Sequence, residues 1–239
     1  MSLSLNAVCK NYGRHRALYR ITAEFPAGRI SVVLGPNGAG KSTLMGILST
    51  LVAPTTGTAT WQGQPLAPGT PLRAQIGYVG HEPGLYPDLG ARANLILFAS
   101  LYGLHLAPTA LAARLKAVGL AEDLEGRLEL PVRAFSRGMQ QRLALARALL
   151  HDPSLLLFDE PSAALDPTGA VWLAEHLRQA REAGRTVIVI THDLGLAASL
   201  ADRILLLRRG RVAIDRTLET PLPEAALRTL YEETLSVPA

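Results

Sequence analysis

One glycine-rich segment of the sequence combines residue types and spacing that suit phosphate chemistry. It consists of Gly35, Pro36, Asn37, Gly38, Ala39, Gly40, Lys41 and Ser42, followed by Thr43, and fits the pattern G-x-x-x-x-G-K-[ST]. Glycines let consecutive backbone N–H groups converge on one anion without Cβ clashes. Lys41 adds a mobile positive charge, and the Ser42 hydroxyl is an oxygen ligand that Mg²⁺ accepts. We therefore predict a loop that binds the phosphates of a nucleotide together with Mg²⁺.

Two adjacent carboxylates supply a second chemical element. Asp159 and Glu160 follow the apolar residues 155–158 and precede Pro161. Because side chains alternate along a strand, the two carboxylates are expected to point in different directions. We expect Asp159 to orient the Mg²⁺ shell and Glu160 to act as the general base toward an attacking water. Alone, an Asp-Glu-Pro sequence also fits a turn that starts a helix, but the phosphate loop favours the chemical interpretation.

A third candidate element is the start of an amphipathic helix that precedes the acidic strand. Its residues are Phe135, Ser136, Arg137, Gly138, Met139 and Gln140. Ser136 is a favourable N-cap, and an apolar stripe follows at Met139, Leu143, Ala146 and Leu150. Helix starts attract anions, so this is a second candidate anion site. Taken alone, Ser136 also fits a plain capped core helix.

The elements that must position these residues alternate between strand and helix. A continuous apolar run at residues 30–34, typical of a strand buried on both faces, leads directly into the glycine-rich segment. Further strands are predicted at residues 3–8, 21–25, 59–61, 76–79, 155–158, 187–190, 204–207 and 211–214, and helices at 42–51, 169–183 and 223–235. A polar loop with Tyr12 and Gly13 is expected between the first two strands, and residues 91–150 show helical periodicity. This order predicts an α/β fold with a mainly parallel sheet and a helical insertion.

Composition narrows the class of protein. With 239 residues, 48% of them hydrophobic and 18% charged, the chain is expected to form a sizeable core. One cysteine, Cys9, excludes an internal disulfide and predicts a reducing compartment. We expect no secretory leader, and no run reaches the roughly 18 apolar residues of a bilayer span. The net charge is +4, but the arginines that dominate the basic residues are scattered, so we expect no nucleic-acid partner.

The motifs and their order resemble those of ATP-binding-cassette (ABC) ATPases over nearly the full chain. The matching segments are Tyr12, residues 35–42, residues 135–140, Asp159 and Glu160, residues 162–166, and His192. The resemblance implies a single domain at residues 1–239 with the P-loop NTPase fold. It also implies an antiparallel N-terminal β subdomain, a helical subdomain at about 85–152, and hydrolysis of ATP with Mg²⁺.

The resemblance assigns roles within one subunit. Lys41, Glu160 and His192 are the implied catalytic residues, and His192 is expected to contact the γ-phosphate and help hold the attacking water. Tyr12 is expected to stack on adenine, although an isolated loop tyrosine is more often a surface anchor.

The resemblance also implies a second ATP-binding subunit, packed head to tail as a homodimer. Ser136, Gly138 and Gln140 of each subunit would then face ATP held by the phosphate loop of the other. Asp166 resembles the residue that links the two sites. One γ-phosphate cannot lie at two helix starts in distant parts of one chain, and the dimer resolves this conflict.

Two positions depart from the family pattern. Arg137 stands where the family usually has glycine, and its cation either strengthens phosphate attraction or points to solvent. His81 stands where the family usually has a glutamine that touches Mg²⁺ and water. Because histidine can donate to water or bind a metal when neutral, we expect His81 to face the metal and nucleotide, and His81→Gln to retain activity.

The work that ATP drives is expected to lie in another polypeptide. The family pairs such a subunit with a multi-span membrane subunit at the cytoplasmic face of the inner membrane, docked in a groove near residues 83–89 and 91–102. Apolar residues there serve either docking or the insertion's own core: Leu85, Tyr86, Leu95, Phe98 and Leu101.

The cargo is expected to be recognised by that membrane subunit. Residues 80–86, 101–103 and 135–141 resemble the ATP-binding subunit of haem exporters in cytochrome c maturation, and drug- and antibiotic-export cassettes share parts of these segments. An alternative of another class is a non-transport cassette ATPase that acts on ribosomes or DNA. A further alternative is an ATP-binding switch with little turnover.

Overall fold

The structure is a computed structural model that describes residues 2–121, 126–163 and 165–236. Residues 122–125, which belong to the predicted helical subdomain, and Ala164, within the 162–166 motif, lie outside the described residues.

Ten strands and seven α-helices make up the described chain. The strands are β1 (Ser2–Tyr12), β2 (His15–Pro26), β3 (Arg29–Leu34), β4 (Thr56–Trp61), β5 (Gln64–Pro65), β6 (Ile76–Val79), β7 (Leu155–Asp159), β8 (Thr186–Ile190), β9 (Arg203–Arg208) and β10 (Arg211–Thr217). The helices are α1 (Lys41–Leu48), α2 (Ala91–Leu101), α3 (Pro108–Ala117), α4 (Arg137–Ala148), α5 (Pro167–Glu182), α6 (Leu194–Leu200) and α7 (Glu224–Ser236). In the described part of the chain, no helix has the length and hydropathy needed to cross a bilayer.

The central sheet has six strands in the order β10-β9-β3-β8-β7-β6. β3 pairs in parallel with β8 and β9, β7 pairs in parallel with β8 and β6, and β10 is antiparallel to β9. Every residue of β7 and β8 is buried, as expected for strands covered on both faces. The predicted mainly parallel sheet is confirmed.

The two faces of this sheet belong to different hydrophobic clusters. Alternate residues of β3 divide between them, because successive side chains point to opposite faces. Val32 belongs to the cluster that contains residues of α2, α4, α5 and α6, whereas Val33 belongs to the cluster that contains residues of α1 and the N-terminal sheet. Helix α1 therefore lies between two sheets.

The N-terminal sheet is antiparallel in the order β2-β1-β4-β5. Here the predicted loop with Tyr12 is wrong, since β1 continues to Tyr12, which pairs with His15 at the start of β2. Gly13, at φ +57°, allows the tight turn between them. Tyr12 is therefore a strand residue beside a hairpin turn.

The insertion between β6 and β7 carries α2, α3 and α4. Leu95, Leu111 and Leu143, one from each helix, are buried in the cluster that also covers one face of the central sheet. The insertion therefore shares its core with the sheet that it covers.

Candidate functional site

Four neighbouring parallel strands end at one edge of the central sheet. Ile190, the last residue of β8, lies opposite Val33 of β3 on one side and Asp159 of β7 on the other. On the next strand, Val79 of β6 lies opposite Phe158. The carboxyl ends of β3, β8, β7 and β6 are therefore side by side, which is where open α/β sheets bind ligands.

Each of these strand ends carries a residue that the sequence predicted for the site. Gly35 follows β3, Asp159 ends β7 and Glu160 follows it, His192 comes after β8, and His81 comes after β6. The chain order of these strands differs from their order in the sheet, so segments more than a hundred residues apart meet at one edge. The convergence of these predicted residues at one place is the main outcome of the fold.

The phosphate loop requires glycine at two positions. Gly35 has φ +151° and Gly40 has φ +104°, both in the region that favours glycine. A Cβ on Gly35 would lie 2.4 Å from the Leu207 carbonyl oxygen, and one on Gly40 would lie 2.7 Å from the Ala17 carbonyl oxygen. The loop is thus held between β2 and β9, and its backbone leads into the first turn of α1.

The Lys41 side chain folds over the phosphate loop. Its Nζ donates to the carbonyl oxygens of Gly35 at 2.7 Å and Pro36 at 3.1 Å. Burial lowers the pKa of Lys41, while the nearby carboxylates of Glu160 and Asp159 act in the opposite direction. The predicted phosphate-binding cation therefore lies close to both predicted acidic residues.

Asp159 is a buried carboxylate with cations nearby. Burial raises its pKa, Glu160 raises it further, and His81 and Lys41 lower it. The described residues contain no group of three or more histidine, cysteine, aspartate or glutamate side chains arranged around a metal position. Mg²⁺ is commonly held by one or two protein ligands together with substrate phosphates and water. The exposed Ser42 hydroxyl and the Asp159 carboxylate fit that mode of binding.

Glu160 and His192 form a hydrogen-bonded pair. Glu160 has φ +52°, a sparsely populated conformation for a non-glycine residue, and its N–H donates to the Ile190 carbonyl at 2.9 Å. Its Oε2 accepts from the His192 ring Nδ1 at 2.9 Å and from the His192 backbone N–H at 3.3 Å. The Glu160 side chain is 16% exposed and that of His192 is 74% exposed. An exposed imidazole thus orients a largely buried carboxylate.

Ser136 caps α4 as predicted, since its Oγ accepts from the Met139 N–H at 3.2 Å. Gln140 uses its amide nitrogen within the preceding turn, where it donates to the carbonyls of Val132 at 3.2 Å and Phe135 at 3.1 Å. These bonds fix the turn that presents the helix start. The contact of Gln140 with a nucleotide stays a prediction, as does that of Gly138.

One cleft joins α4 to the strand edge. Its volume is about 390 Å³, and it is lined by His81, Glu82, Pro83, Arg137, Gln140, Gln141, Glu160 and Ala163. Arg137 is exposed and lines this cleft together with His81 and Glu160. The two departures from the family pattern therefore face one space.

Sequence reasoning missed Gln141. This buried side chain donates from Nε2 to the Pro161 carbonyl at 3.3 Å and so ties α4 to the turn after Glu160. The signal was present, because a polar residue between apolar positions of a core helix requires a hydrogen-bond partner.

Neither Tyr12 nor Asp166 is among the residues that line this cleft. Tyr12 is 48% exposed at the end of β1, with the Lys10 ammonium 5.0 Å from its ring centroid. Asp166 caps α5, because its Oδ1 accepts from the Gly169 N–H at 2.7 Å, and the Arg142 guanidinium lies 3.9 Å from the same oxygen. Their expected roles toward adenine and the second site stay predictions.

Parallel strands that end in a phosphate loop, a buried aspartate and a histidine-held glutamate define a P-loop nucleoside triphosphatase. A family profile described as "ABC transporter" matches residues 18–163. The chain therefore belongs to the ABC transporter family.

Known relatives and solved structures agree with this family. The chain is 34% identical over 214 residues to the lantibiotic transport ATP-binding protein SrtF of Streptococcus pyogenes, with 90% of each chain covered. It is 36% identical over 227 residues to the arginine transport ATP-binding protein ArtP of Escherichia coli K12, covering 89% of this chain and 90% of ArtP.

Among solved structures, the chain is similar to the dimeric post-hydrolysis state of the ATP-binding cassette MJ0796 bound to ADP and Pi. The TM-score is 0.81 and the identity 29%, with 91% of this chain and 99% of that chain covered. The protein is accordingly an ATP-binding subunit of an ABC transporter, and its domain is an ABC ATPase.

Proposed function

We propose that this chain binds Mg²⁺ and ATP as a head-to-tail homodimer and powers export through a separate multi-span membrane subunit. The observation that carries the proposal is the convergence of Lys41, Asp159, Glu160 and His192 at one sheet edge. We place the working protein at the cytoplasmic face of the inner membrane, attached through that partner.

Binding is assigned to the phosphate loop and its neighbours. The backbone N–H groups of residues 37–43, at the start of α1, attract the phosphates, and Lys41 exchanges its two carbonyl partners for phosphate oxygens. Ser42 and Asp159 would hold Mg²⁺, which supplies charge neutralisation on the phosphates when bound. The cation also relieves the cost of burying the Asp159 carboxylate.

Hydrolysis is assigned to Glu160 as the base that takes the proton of the attacking water. His192 orients it, because its Nδ1–H donates to Oε2 and its backbone N–H donates to the same oxygen. The imidazole leaves its Nε2 atom free of that contact, on the side where it would meet the phosphates of a bound nucleotide. His81 lines the same cleft as Glu160 and would face the attacking water and the metal from the end of β6.

The dimer is supported by the different pockets that the two helix starts line, since residues 36–39 line one with Arg208 and Arg209 whereas Arg137 and Gln140 line another. Helix α1 starts at the phosphate loop, whereas the Ser136-capped start of α4 opens beside the cleft of His81 and Arg137. A second copy brings its Ser136, Gly138 and Gln140 to the phosphates, and the two copies together make two complete sites.

Mixed dimers test this arrangement. Lys41→Ala subunits are expected to be nearly inactive alone, and Ser136→Ala subunits to keep about a tenth of the wild-type phosphate release. In a head-to-tail dimer, a mixed pair contains one site with both lesions and one intact site. An equal mixture should therefore recover about a quarter of wild-type phosphate release, if half of the dimers are mixed and each site works alone.

The control for exchange is a mixture of two Lys41→Ala preparations carrying different affinity tags, which should recover nothing. If the Lys41→Ala and Ser136→Ala mixture forms mixed dimers but neither traps ATP nor releases more phosphate than the two variants do separately, the head-to-tail site is wrong.

An exposed apolar surface supports the membrane partner. Leu95 is fully buried, and Phe98 and Leu85 pack against the core, so these residues serve the insertion itself. Tyr86 is 51% exposed and Leu101 is 70% exposed, which suits docking.

Co-purification from detergent-solubilised membranes tests for this partner, with the bound protein identified by mass. A multi-span protein is the expected result, and Leu101→Asp should weaken its recovery without changing the basal ATPase rate. Recovery of ribosomal proteins or DNA instead would favour the non-transport alternative.

For cargo we propose haem or a haem-like ligand, exported through the membrane subunit. Support comes from residues 80–86, 101–103 and 135–141, which resemble the haem-exporter subunit. SrtF and ArtP carry descriptions with two different cargoes, and drug or antibiotic export is the alternative for this chain. Stimulation of the assembled transporter's ATPase by haem, and not by lantibiotic peptides or arginine, is the expected result.

A further inference from the structure

The outer edge of β6 is covered by side chains. β6 is the last strand of the central sheet and pairs on one side with β7. On its open side, the Ile76 carbonyl accepts from His151 Nε2 at 3.0 Å, and the Tyr78 carbonyl accepts from Arg147 Nη2 at 2.8 Å. Carbonyls two residues apart on a strand point the same way, so Arg147 and His151 satisfy consecutive groups of this edge.

Arg147 also binds beyond the end of β6. Its Nη1 donates to the Gly84 carbonyl at 3.0 Å, while Nη2 holds Tyr78. One planar guanidinium therefore binds the carbonyls at both ends of residues 78–84, the segment that carries His81 and Glu82. Gly84 fits this contact closely, because it has φ +61° and a Cβ there would lie 2.8 Å from Arg147 Nη1.

The cation of Arg147 is buried without a carboxylate partner in the described parts of the chain. Burial lowers its pKa, and the titratable neighbours that act on it are Tyr102 and Tyr78. Its guanidinium lies 5.1 Å from the ring centroid of Phe98 on α2, and its Nε has no hydrogen-bond partner. An apolar side chain commonly suits a purely structural position of this kind better than an unpaired charge. Arginine suits this position because its planar, forked set of N–H donors can bind two carbonyl oxygens at once.

Helix α4 connects this contact to the rest of the site. Arg147 is in its last turn, Gln141 near its start donates to the Pro161 carbonyl, and Ser136 caps it. Twelve residues span about 18 Å at 1.5 Å per residue. One rigid element therefore touches the turn after Glu160, the predicted seam with a second subunit and the loop of His81.

We propose that Arg147 is a positioning residue that fixes the His81 loop to α4, so that the position of α4 sets the position of His81. The inference rests on the proposed function, in which His81 faces the reacting water. A shift of α4 against the sheet, when a second copy engages Ser136, moves residues 81–84 with it through the bond to the Gly84 carbonyl, while the bond to the Tyr78 carbonyl on β6 limits the size of that shift. Arg147 touches neither substrate nor metal.

The test compares Arg147→Met and Arg147→Lys with wild type in steady-state phosphate release. Misplacement of His81 should lower kcat about tenfold or more in Arg147→Met, because reacting groups tolerate little displacement. The KM for ATP should stay within about twofold, since the phosphate loop is untouched. Arg147→Lys, which can reach only one of the two carbonyls, should give an intermediate kcat.

Arg114→Met is the matched control. Arg114 is a partly buried guanidinium of the same insertion that donates to the carbonyl of Leu149, the residue that follows α4, at 2.8 Å. Arg114→Met should lower the thermal midpoint by about as much as Arg147→Met does, while leaving kcat within about twofold of wild type. Equal losses of kcat in the Arg114 and Arg147 variants would reduce Arg147 to a structural role and overturn the inference.

Gly84→Ala gives an independent variant if Arg147→Met fails to fold. Its Cβ meets Arg147 Nη1, so it should lower kcat by displacing the same contact. The double variant Gly84→Ala with Arg147→Lys should be no slower than the slower of the two single variants, because both substitutions disrupt the same contact. Additive losses overturn the inference.

Glu160→Gln run in parallel keeps the two proposals apart: if it is inactive while Arg147→Met matches wild type, the ATPase mechanism stands and the positioning role fails.

Discussion

The strand edge that holds the phosphate loop and the helical insertion are attached to the molecule in different ways. At the edge, β3, β8 and β7 are joined by backbone ladders, and the Glu160 N–H continues that pattern by donating to the Ile190 carbonyl. The insertion meets β6 through side chains, among them Arg147, His151 and the Tyr102 ring stacked 3.8 Å from His151.

This difference separates a fixed half of the site from an adjustable half. Backbone ladders have one register, and a slip of one residue would turn every side chain to the wrong face. Side-chain contacts between packed elements allow small rigid-body shifts. The groups that bind phosphates and move protons lie on the fixed half, and helix α4, which Ser136 caps, lies on the adjustable half. Substitutions on the fixed half should therefore have the larger effects on turnover.

Glu160→Gln should have the largest effect. The amide keeps the shape of the side chain but cannot accept the water proton, so kcat should fall about a hundredfold or more. ATP binding should persist, measured by equilibrium titration with a fluorescent analogue. Glu175→Gln, an exposed carboxylate on α5, is the control and should match wild type. Equal phosphate release from Glu160→Gln and wild type would remove Glu160 from catalysis.

Asp159→Asn should lower turnover almost as strongly while stabilising the protein without nucleotide. Burial raises the pKa of Asp159 in the folded protein. The charged carboxylate therefore destabilises the fold at pH values above that raised pKa. This cost disappears below the usual pKa of aspartate, where the group is protonated in both the folded and the unfolded chain. At neutral pH the thermal midpoint should rise by about 2 °C, and near pH 3 the gain should vanish.

The same Asp159→Asn protein should lose most of its stabilisation by Mg²⁺ and ATP, measured by melting with and without both. A midpoint below wild type at neutral pH would show that the Asp159 charge is stabilised by contacts that outweigh its burial.

Ser136→Ala tests the adjustable half. Loss of the cap bond to the Met139 N–H should cost about 1 kcal/mol of stability. Phosphate release should fall about tenfold, since the hydroxyl also contacts the γ-phosphate in the proposed dimer. Thr70→Ala, which removes a comparable bond to the Leu72 N–H far from the cleft, is the control. It should destabilise the protein without slowing phosphate release, and equal kinetics in the two variants would confine Ser136 to capping.

His81→Gln should have the smallest effect. Both side chains can donate to a water from the end of β6, so kcat should stay within about threefold of wild type. His81→Ala supplies the comparison that removes the donor. A loss above about tenfold in His81→Gln, measured near neutral pH, would show that the imidazole is specifically needed.

The strand edge was predictable from sequence because its signals are local. The apolar run at residues 30–34 leads into the phosphate loop, and the run at 155–158 ends in Asp159, so strand and chemistry are adjacent in the chain. Lys41, Asp159, Glu160 and His192 accordingly lie where the parallel sheet was expected to bring them.

The contacts of the insertion were less predictable. Arg147 and Gln141 look like ordinary residues of an amphipathic helix, and their partners, the carbonyls of Tyr78 and Pro161, are set by packing between distant segments. Helix α6 was also missed, since its seven residues are too short for a clear periodicity. The strand through Tyr12 was missed because the polar residues of its exposed end resemble a loop.

The guanidinium and imidazole along β6 have one more consequence, for the behaviour of the protein at high concentration. An uncovered terminal strand offers free amides and carbonyls to a strand of another molecule and so promotes aggregation. Arg147 and His151 occupy two of those carbonyls, and at the opposite margin β10 presents Arg211, Asp215 and Arg216. Hydrogen-bonding side chains therefore hinder the pairing of another strand with β6, and exposed charged side chains hinder it at β10.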